Sequence, residues 1–264
     1  MDSTTFNSFR RIVYEKSGIT LHEGKEALVS ARVGKRMRAL GMDDHKKYLD
    51  LVLNDDSGNE VIRLLDVIST NVTHFFREPQ HFDFFSREIR KIVATGQNKI
   101  RIWCAASSSG EEPYSLAMTF LENCADFRGD FRILATDIST RVLTLAQEGV
   151  YPEKKTETIP PLLLDRYFDQ RDDKQYQAKQ KLRTLIKFAR LNLSKPPFPM
   201  RGPFDMVFCR NVMIYFDNEV RKKLLDEVYR LLAPGGYLVV GHAESLTGML
   251  CNLKSVRPSI YMKE

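Results

Sequence analysis

No apolar run in this chain approaches the ~20 residues that a membrane-spanning helix needs. The stretch MDSTTFNSFRRIVYEKSG at the start lacks the apolar core of a secretory signal. Together these point to a cytoplasmic protein. Cysteine is scarce: Cys104, Cys124, Cys209 and Cys251 are scattered, with no C-x-x-C, so a disulfide scaffold or a zinc ribbon is not expected. Cys104 and Cys209 sit in apolar runs and read as buried free thiols. No Gly-Lys-Ser/Thr follows a turn, which excludes a P-loop. No Ser/His/Asp or Cys/His grouping suggests a covalent nucleophile. His242 and Glu244 form an H-x-E pair, but the P-C-x-x-C partner of a zinc deaminase is missing. They read as loop residues near a sheet edge. His74 is as suited to packing as to binding, and the other histidines have no metal spacing, so no metal is expected.

What is present is ordinary in bulk and informative in order. Charged residues make up 28% and hydrophobic ones 43% of 264 residues, enough for a sizeable core in one large domain or one with a small companion. The net charge of +6 favours an acidic partner without choosing between nucleic acid and protein. Up to about Asp66 the pattern is helical. Phe6, Phe9, Ile12 and Val13 form one stripe stopped at Gly18; Leu28, Val33, Met37 and Leu40 form another stopped at Gly41. A basic cluster of Arg32, Lys35, Arg36 and Arg38 lies here, with Arg32, Lys35 and Arg36 on one face of the expected helix. That face is either merely solvated or steers an acidic partner. From Lys99 onward, apolar strands (IRIWCA, FRILATD, FDMVFCRN, YLVVG) alternate with helices, and a final SIYMKE could run antiparallel. This predicts an α/β fold with a mostly parallel sheet covered on both faces. Between Pro160 and Arg190 a charged, weakly stranded stretch reads as an inserted β subdomain.

The stretch IRIWCAASSSGEEPYSLAM reads as a buried strand, a turn of small residues and a helix, where an α/β fold grips a nucleotide. Its one glycine, Gly110, is too few for a pyrophosphate cradle, and Glu111 and Glu112 at the helix start would repel a phosphate. S-adenosylmethionine carries adenosine, a ribose and a sulfonium cation, with no phosphate, and suits such a turn. Glu111 as ordinary helix N-terminal charge is the bland alternative. Asp137 ends the second strand, placed to accept ribose hydroxyls or to cap the next helix; Ser139 can do the capping. FCRN delivers Arg210 and Asn211 to the ligand-binding edge, and a Pro-Gly-Gly turn precedes the next strand. That order is the pattern of S-adenosylmethionine-dependent methyltransferases with a Rossmann-like sheet.

TNVTHFFRE, WCAASSSGEEPYS, ATDIS, LNL and FCRNVMIYF, five separated motifs in order, closely resemble the CheR family of chemotaxis-receptor methyltransferases. The likeness extends from the helical N-terminal unit to GHAES. It implies methyl esterification of glutamates on the cytoplasmic helices of methyl-accepting chemoreceptors, with S-adenosylhomocysteine as product, in a cytoplasmic enzyme recruited to membrane receptor arrays. It also implies roles by position. Asn71, Thr73 and Arg77 would contact the cofactor from an inter-domain linker; Glu111 would hold the methionyl amino end and Asp137 the ribose. Asn192 and Leu193 would border the adenine, with Asn211 and Arg210 near the methionyl group. Tyr215 is the candidate for lining the methyl-transfer channel, with a buried core tyrosine as the alternative. Arg32, Lys35 and Arg36 would belong to the receptor-recognition unit. The implied division is a helical domain over 1–68, a linker over 69–85, and a catalytic domain over 86–264 with an insertion at about 160–190.

Two rivals share the fold. Nucleic-acid amino-methyltransferases often carry an Asn/Asp-Pro-Pro-Tyr/Phe loop, whereas this chain has RNVMIYF there and KPPFP elsewhere; no nucleic-acid substrate is expected. A non-catalytic S-adenosylmethionine sensor would keep Glu111, Asp137 and Asn211 just as well. Some family members dock a receptor tail peptide through a glycine-containing loop in the insertion. Here 168–188 has no glycine, which predicts binding independent of such a tail, without insertion into the membrane.

Overall fold

A computed structural model describes residues 1–171, 174–246, 248–249 and 252–264. Four helices form the N-terminal unit: α1 (Ser3–Ser17), α2 (Glu26–Ala39), α3 (His45–Leu53) and α4 (Asn59–Ile68). Asp2 caps α1 by accepting the Thr5 N–H at 2.8 Å, and Gly18 ends it in the left-handed conformation. Phe6, Phe9, Ile12 and Val13 are all buried, as their spacing predicts. In α2 the buried stripe is Val29, Val33 and Met37; Leu28 and Leu40 are exposed. Leu28 instead looks into the cavity described below.

The basic face of α2 is not free. Glu60, buried on α4, accepts Arg36 Nε at 2.8 Å, Arg36 Nη2 at 2.6 Å and the Tyr48 hydroxyl at 2.9 Å. Arg32 donates to the Ile68 carbonyl and to Thr70 Oγ1, holding the start of the linker. Of the three predicted partner-binding cations only Lys35 is exposed. Burial pushes the Glu60 carboxyl up, but Arg36 and Tyr48 outweigh it and hold the group below its ordinary value. A depressed carboxylate stabilises the fold above its unfolded pKa, and this contribution is lost as pH falls through the folded one. Glu60→Gln should therefore lower stability by about 1–2 kcal/mol at pH 7. In urea unfolding the deficit should shrink as pH drops below the ordinary glutamate range.

The central sheet has the order β6-β2-β1-β7-β8-β10-β9. Its strands are β1 (Lys99–Cys104), β2 (Asp130–Asp137), β6 (Ile186–Arg190), β7 (Phe204–Cys209), β8 (Leu232–Val240), β9 (Leu253–Arg257) and β10 (Ile260–Lys263). The first five in that order pair in parallel, and β10 runs antiparallel to β8 and to β9. Side chains alternate across β1 as the pleat demands. Ile100, Ile102 and Cys104 join Phe85 and Ile89 of α5 (Gln80–Ala94) and Leu116 and Phe120 of α6 (Glu111–Asn123). Trp103 points to the other face, toward Leu224 and Val228 of α11 (Asn218–Leu231). Cys104, Cys124 and Cys209 are free and buried; Cys251 lies outside the described residues.

Three boundaries move. The small sheet, ordered β3-β5-β4, consists of β3 (Val150–Pro152), β4 (Phe168–Arg171) and β5 (Gln175–Ala178), so the insertion begins ten residues earlier than predicted, directly after α7 (Thr140–Glu148). It carries the short helices α8 (Glu153–Thr156) and α9 (Pro161–Tyr167), and α10 (Gln180–Arg183) leads out of it. Ile186–Arg190, assigned to the insertion from its charge, is the edge strand β6 of the main sheet. An edge strand needs an apolar side chain only where it meets the sheet's covered face. The linker is also shorter than predicted, since α5 starts at Gln80. Asp172 and Asp173, in the segment read for tail-peptide binding, lie outside the described residues.

Candidate cofactor site

A cavity of about 310 Å³ lies over the C-terminal ends of β1, β2 and β7 and is roofed by the linker and the N-terminal unit. An open α/β sheet binds ligands at this edge. The roof is pinned at several points. Asn192 Nδ2 donates to the Lys16 carbonyl at 2.7 Å, Thr20 N–H to the Tyr215 carbonyl at 2.8 Å, and Thr140 Oγ1 to Asp66 Oδ2 at 3.0 Å. Asn71, Thr73, Arg77, Asp137, Asn192, Leu193, Arg210, Asn211 and Tyr215 all line the cavity, as does Arg32. Nine sequence-predicted site residues, from the linker to the 3₁₀ turn Met213–Tyr215, thus converge on one space.

The turn after β1 explains its single glycine. Gly110 has φ +98°, and a Cβ there would come within 2.8 Å of the Tyr151 hydroxyl and 2.9 Å of Ala146 Cβ. The position needs glycine for conformation and for packing, not for a phosphate. Ser108 N–H donates to Asp137 Oδ2 at 2.8 Å, and Ser139 N–H to Oδ1 at 2.9 Å. Ser139 in turn caps α7, so the cap does not consume Asp137. Burial raises the Asp137 carboxyl above the usual aspartate range, with the Ser139 and Ser108 N–H groups pulling it back. A carboxylate has about four lone-pair positions, and those left over face the cavity.

Glu111 does not reach the cavity. It is fully buried behind the turn, where it takes the Ser109 hydroxyl and pairs with Lys155. Its neighbour Glu112 lines the cavity instead, bonded by Arg210 Nη1 at 2.6 Å. Successive helix residues point about 100° apart, so one step in sequence decides which acid faces the cavity. Arg210 also donates to the Arg77 carbonyl and lies 3.1 Å from Glu78 Oε2. Burial raises the Glu112 carboxyl, and Arg210 draws it back. The His81 imidazole behind this cluster is lowered to about 4 by burial, with the Arg210 charge adding to it.

Asn211 sits at φ +57°, an uncommon conformation for a residue with a side chain. Glu244, read from sequence as a loop residue, holds it there. Its Oε2 accepts the Asn211 N–H at 2.6 Å and the Gly241 N–H at 2.7 Å, while Oε1 accepts Ile214 N–H at 3.3 Å. A Cβ on Gly241 would meet Asn211 Nδ2 and approach Glu244 Oε2 to 2.9 Å. No local pattern signals this role, because the two segments are 33 residues apart.

The cavity fits a phosphate-free nucleoside. Its helix N-terminus presents an acid, Glu112, and Ile138, Leu191, Leu193 and Val212 supply apolar wall. Asn71 Nδ2, Thr20 Oγ1 and Arg210 Nε are buried without hydrogen-bond partners, and their residues line the space. Buried polar atoms left this way await a ligand or water. The family model for the CheR methyltransferase S-adenosylmethionine-binding domain matches residues 71–261, and that for the CheR all-alpha domain matches 4–69.

The chain belongs to the CheR methyltransferase family.

A chemotaxis protein methyltransferase of Borreliella burgdorferi is 40% identical over 96% of this chain and 92% of its own length. That of Escherichia coli is 35% identical over 92% and 84%. A solved S-adenosylmethionine-dependent methyltransferase from Methanosarcina mazei, 21% identical, overlaps 55% of this chain and 52% of its own with a TM-score of 0.33. The family's two domains are the helical unit and the sheet domain seen here, and S-adenosylmethionine is the ligand its larger domain binds. No described helix is long and apolar enough to cross a membrane.

Proposed function

We propose that this protein methylates glutamate carboxylates on the cytoplasmic helices of chemoreceptors, forming methyl esters. The observation that carries the reading is the convergence of Asp137, Asn211 and Tyr215 on a cavity whose lining suits a ligand without a phosphate, at the seam between the helical unit and the sheet. Relatives named chemotaxis protein methyltransferases, alike over most of their length, support the chemotaxis substrate.

In this reading Asp137 accepts the ribose hydroxyls and Leu193 packs beside the adenine, with the Asn192 main chain next to it. Glu112, rather than Glu111, faces the methionyl amino end, and Asn71, Thr73 and Arg77 close over it from the linker. When bound, S-adenosylmethionine supplies a methyl group on a cationic sulfur that leaves as a neutral thioether. A glutamate side chain has a reference pKa near ~4.3 and is already anionic at neutral pH. No general base is then required of the protein. Its task is alignment, which can contribute roughly 7–11 kcal/mol toward the barrier. Asn211, fixed by Glu244, and Tyr215, on the turn that also holds Thr20, border the channel through which the carboxylate approaches. Lys35 on α2 is an exposed cation offered to an acidic receptor helix, while Arg32 and Arg36 shape the unit that carries it. Docking to a receptor tail peptide is not part of this reading. Recruitment from the cytoplasm to receptor arrays is.

Incubation with methyl-labelled S-adenosylmethionine and either receptor-bearing membranes or nucleic acid separates the possibilities. Base-labile label on the membranes is the expected outcome. Label on nucleic acid alone sinks the proposal, and binding without transfer to either would mark a sensor.

A further inference from the structure

Behind the cofactor cavity, Glu78, His81 and His242 bring one carboxylate oxygen and two imidazole nitrogens within 4.8 Å of one another. They come from the end of the linker, the first turn of α5 and the loop after β8. Both His81 ring nitrogens are buried and without a hydrogen-bond partner, and the His81 side chain is 2% exposed. His81 Nδ1 stands 3.3 Å from Glu78 Oε2, yet no hydrogen bond joins them. Two ligands about 2.1 Å from an ion at a tetrahedral angle stand about 3.4 Å apart, so this pair already has the spacing of two zinc ligands. The His242 ring meets the His81 ring edge-on at 4.9 Å between centroids and is exposed. It can therefore turn to complete the set and leaves a path from solvent. An imidazole pair with one carboxylate suits a borderline cation such as zinc, not magnesium or calcium.

The same carboxylate serves the cofactor site. Glu78 Oε2 lies 3.1 Å from Arg210 Nη2, and Glu78 Oε1 accepts Asn211 Nδ2 at 3.3 Å. We propose that Glu78, His81 and His242 form a binding site for zinc or a similar divalent transition-metal ion, and that its occupation draws Glu78 off Arg210 and Asn211 and weakens S-adenosylmethionine binding. The site is inhibitory, with the ion placed beside the chemistry and taking no part in it. Net charge allows this. Glu78 and Glu112 together exceed the single Arg210 cation by one negative charge, so the arriving ion meets a locally anionic cluster.

Zinc is titrated calorimetrically into the full-length, chelator-treated protein, with no cofactor present, so the result does not depend on the methyl acceptor. Wild type should show one site, weakened about tenfold or more in His242→Ala and unchanged in His45→Ala, a half-buried histidine on α3 that lies outside this cluster. Because His242 is exposed, its loss does not disturb the buried packing. Cobalt should give visible d–d bands in wild type without the charge-transfer band of a thiolate ligand. Zinc should then weaken S-adenosylmethionine binding severalfold in wild type and much less in His242→Ala. Identical zinc isotherms for wild type and His242→Ala overturn the site, as does a cobalt spectrum dominated by thiolate. Zinc binding at this site with no effect on cofactor affinity overturns the coupling.

Discussion

Asp137→Ala should lower the affinity for S-adenosylmethionine by about 100-fold or more. Hydrogen bonds to a charged group contribute about 1.5–3 kcal/mol each, and the proposed ribose contact involves two. S-Adenosylhomocysteine has the same ribose and should lose affinity by the same factor, which distinguishes a ribose ligand from a group that senses the methyl or its charge. Calorimetric titration of both ligands into both proteins measures this. Stability should change far less than affinity. The variant loses acceptors for the Ser108 and Ser139 N–H groups but is relieved of a buried charge that the fold holds against its preference. The raised carboxyl has a further consequence. Wild-type affinity should begin to fall with decreasing pH earlier than an ordinary aspartate would dictate, because the protonated form loses one acceptor. Unchanged affinity in Asp137→Ala would remove this residue from the cofactor site.

Arg210→Met should cost about 3–5 kcal/mol of stability at neutral pH, the range for removing one partner of a buried ion pair. The Arg210 side chain is 2% exposed and lies between Glu78 and Glu112. Without it two carboxylates face each other out of water. Both would then have folded pKa values above their unfolded ones. Such a penalty is present in full where both are ionised and is relieved as pH falls and they take up protons. Urea unfolding should therefore show a large deficit at pH 8 that narrows toward pH 5. Adding Glu112→Gln should recover part of it, since one of the opposed charges is gone. A deficit that does not change with pH would mean that lost packing over Phe82, rather than charge, accounts for the effect.

Most of the architecture was legible because it rests on periodicity. The strands of the sheet interior carry continuous apolar runs, and the α1 stripe follows helical spacing. Legibility failed where one side of an element faces solvent or where the deciding contact is remote. The edge strand β6 reads as charged insertion because only part of it is covered. Leu28 matches a core position in spacing and instead borders the cavity. The choice between Glu111 and Glu112 depends on helix phase at the first turn, which a quoted motif does not fix. Glu244 and the Glu78–His81–His242 group have no local signature, because the fold brings together segments far apart in the chain. Motif resemblance picked out residues that line the cavity, apart from Glu111, because they sit on the linker and on strand ends and turns that the topology gathers at one edge.

The central claim is that the acceptor is a glutamate carboxylate of a chemoreceptor. Its most direct test is peptide mass spectrometry of a purified receptor cytoplasmic fragment after incubation with the protein and S-adenosylmethionine. The account predicts one added methyl group on specific glutamates, removed by mild base, absent when those glutamates are replaced by alanine, and strongly reduced with Asp137→Ala. Methylation that survives base, or that maps to lysine, arginine or another nitrogen, would contradict it.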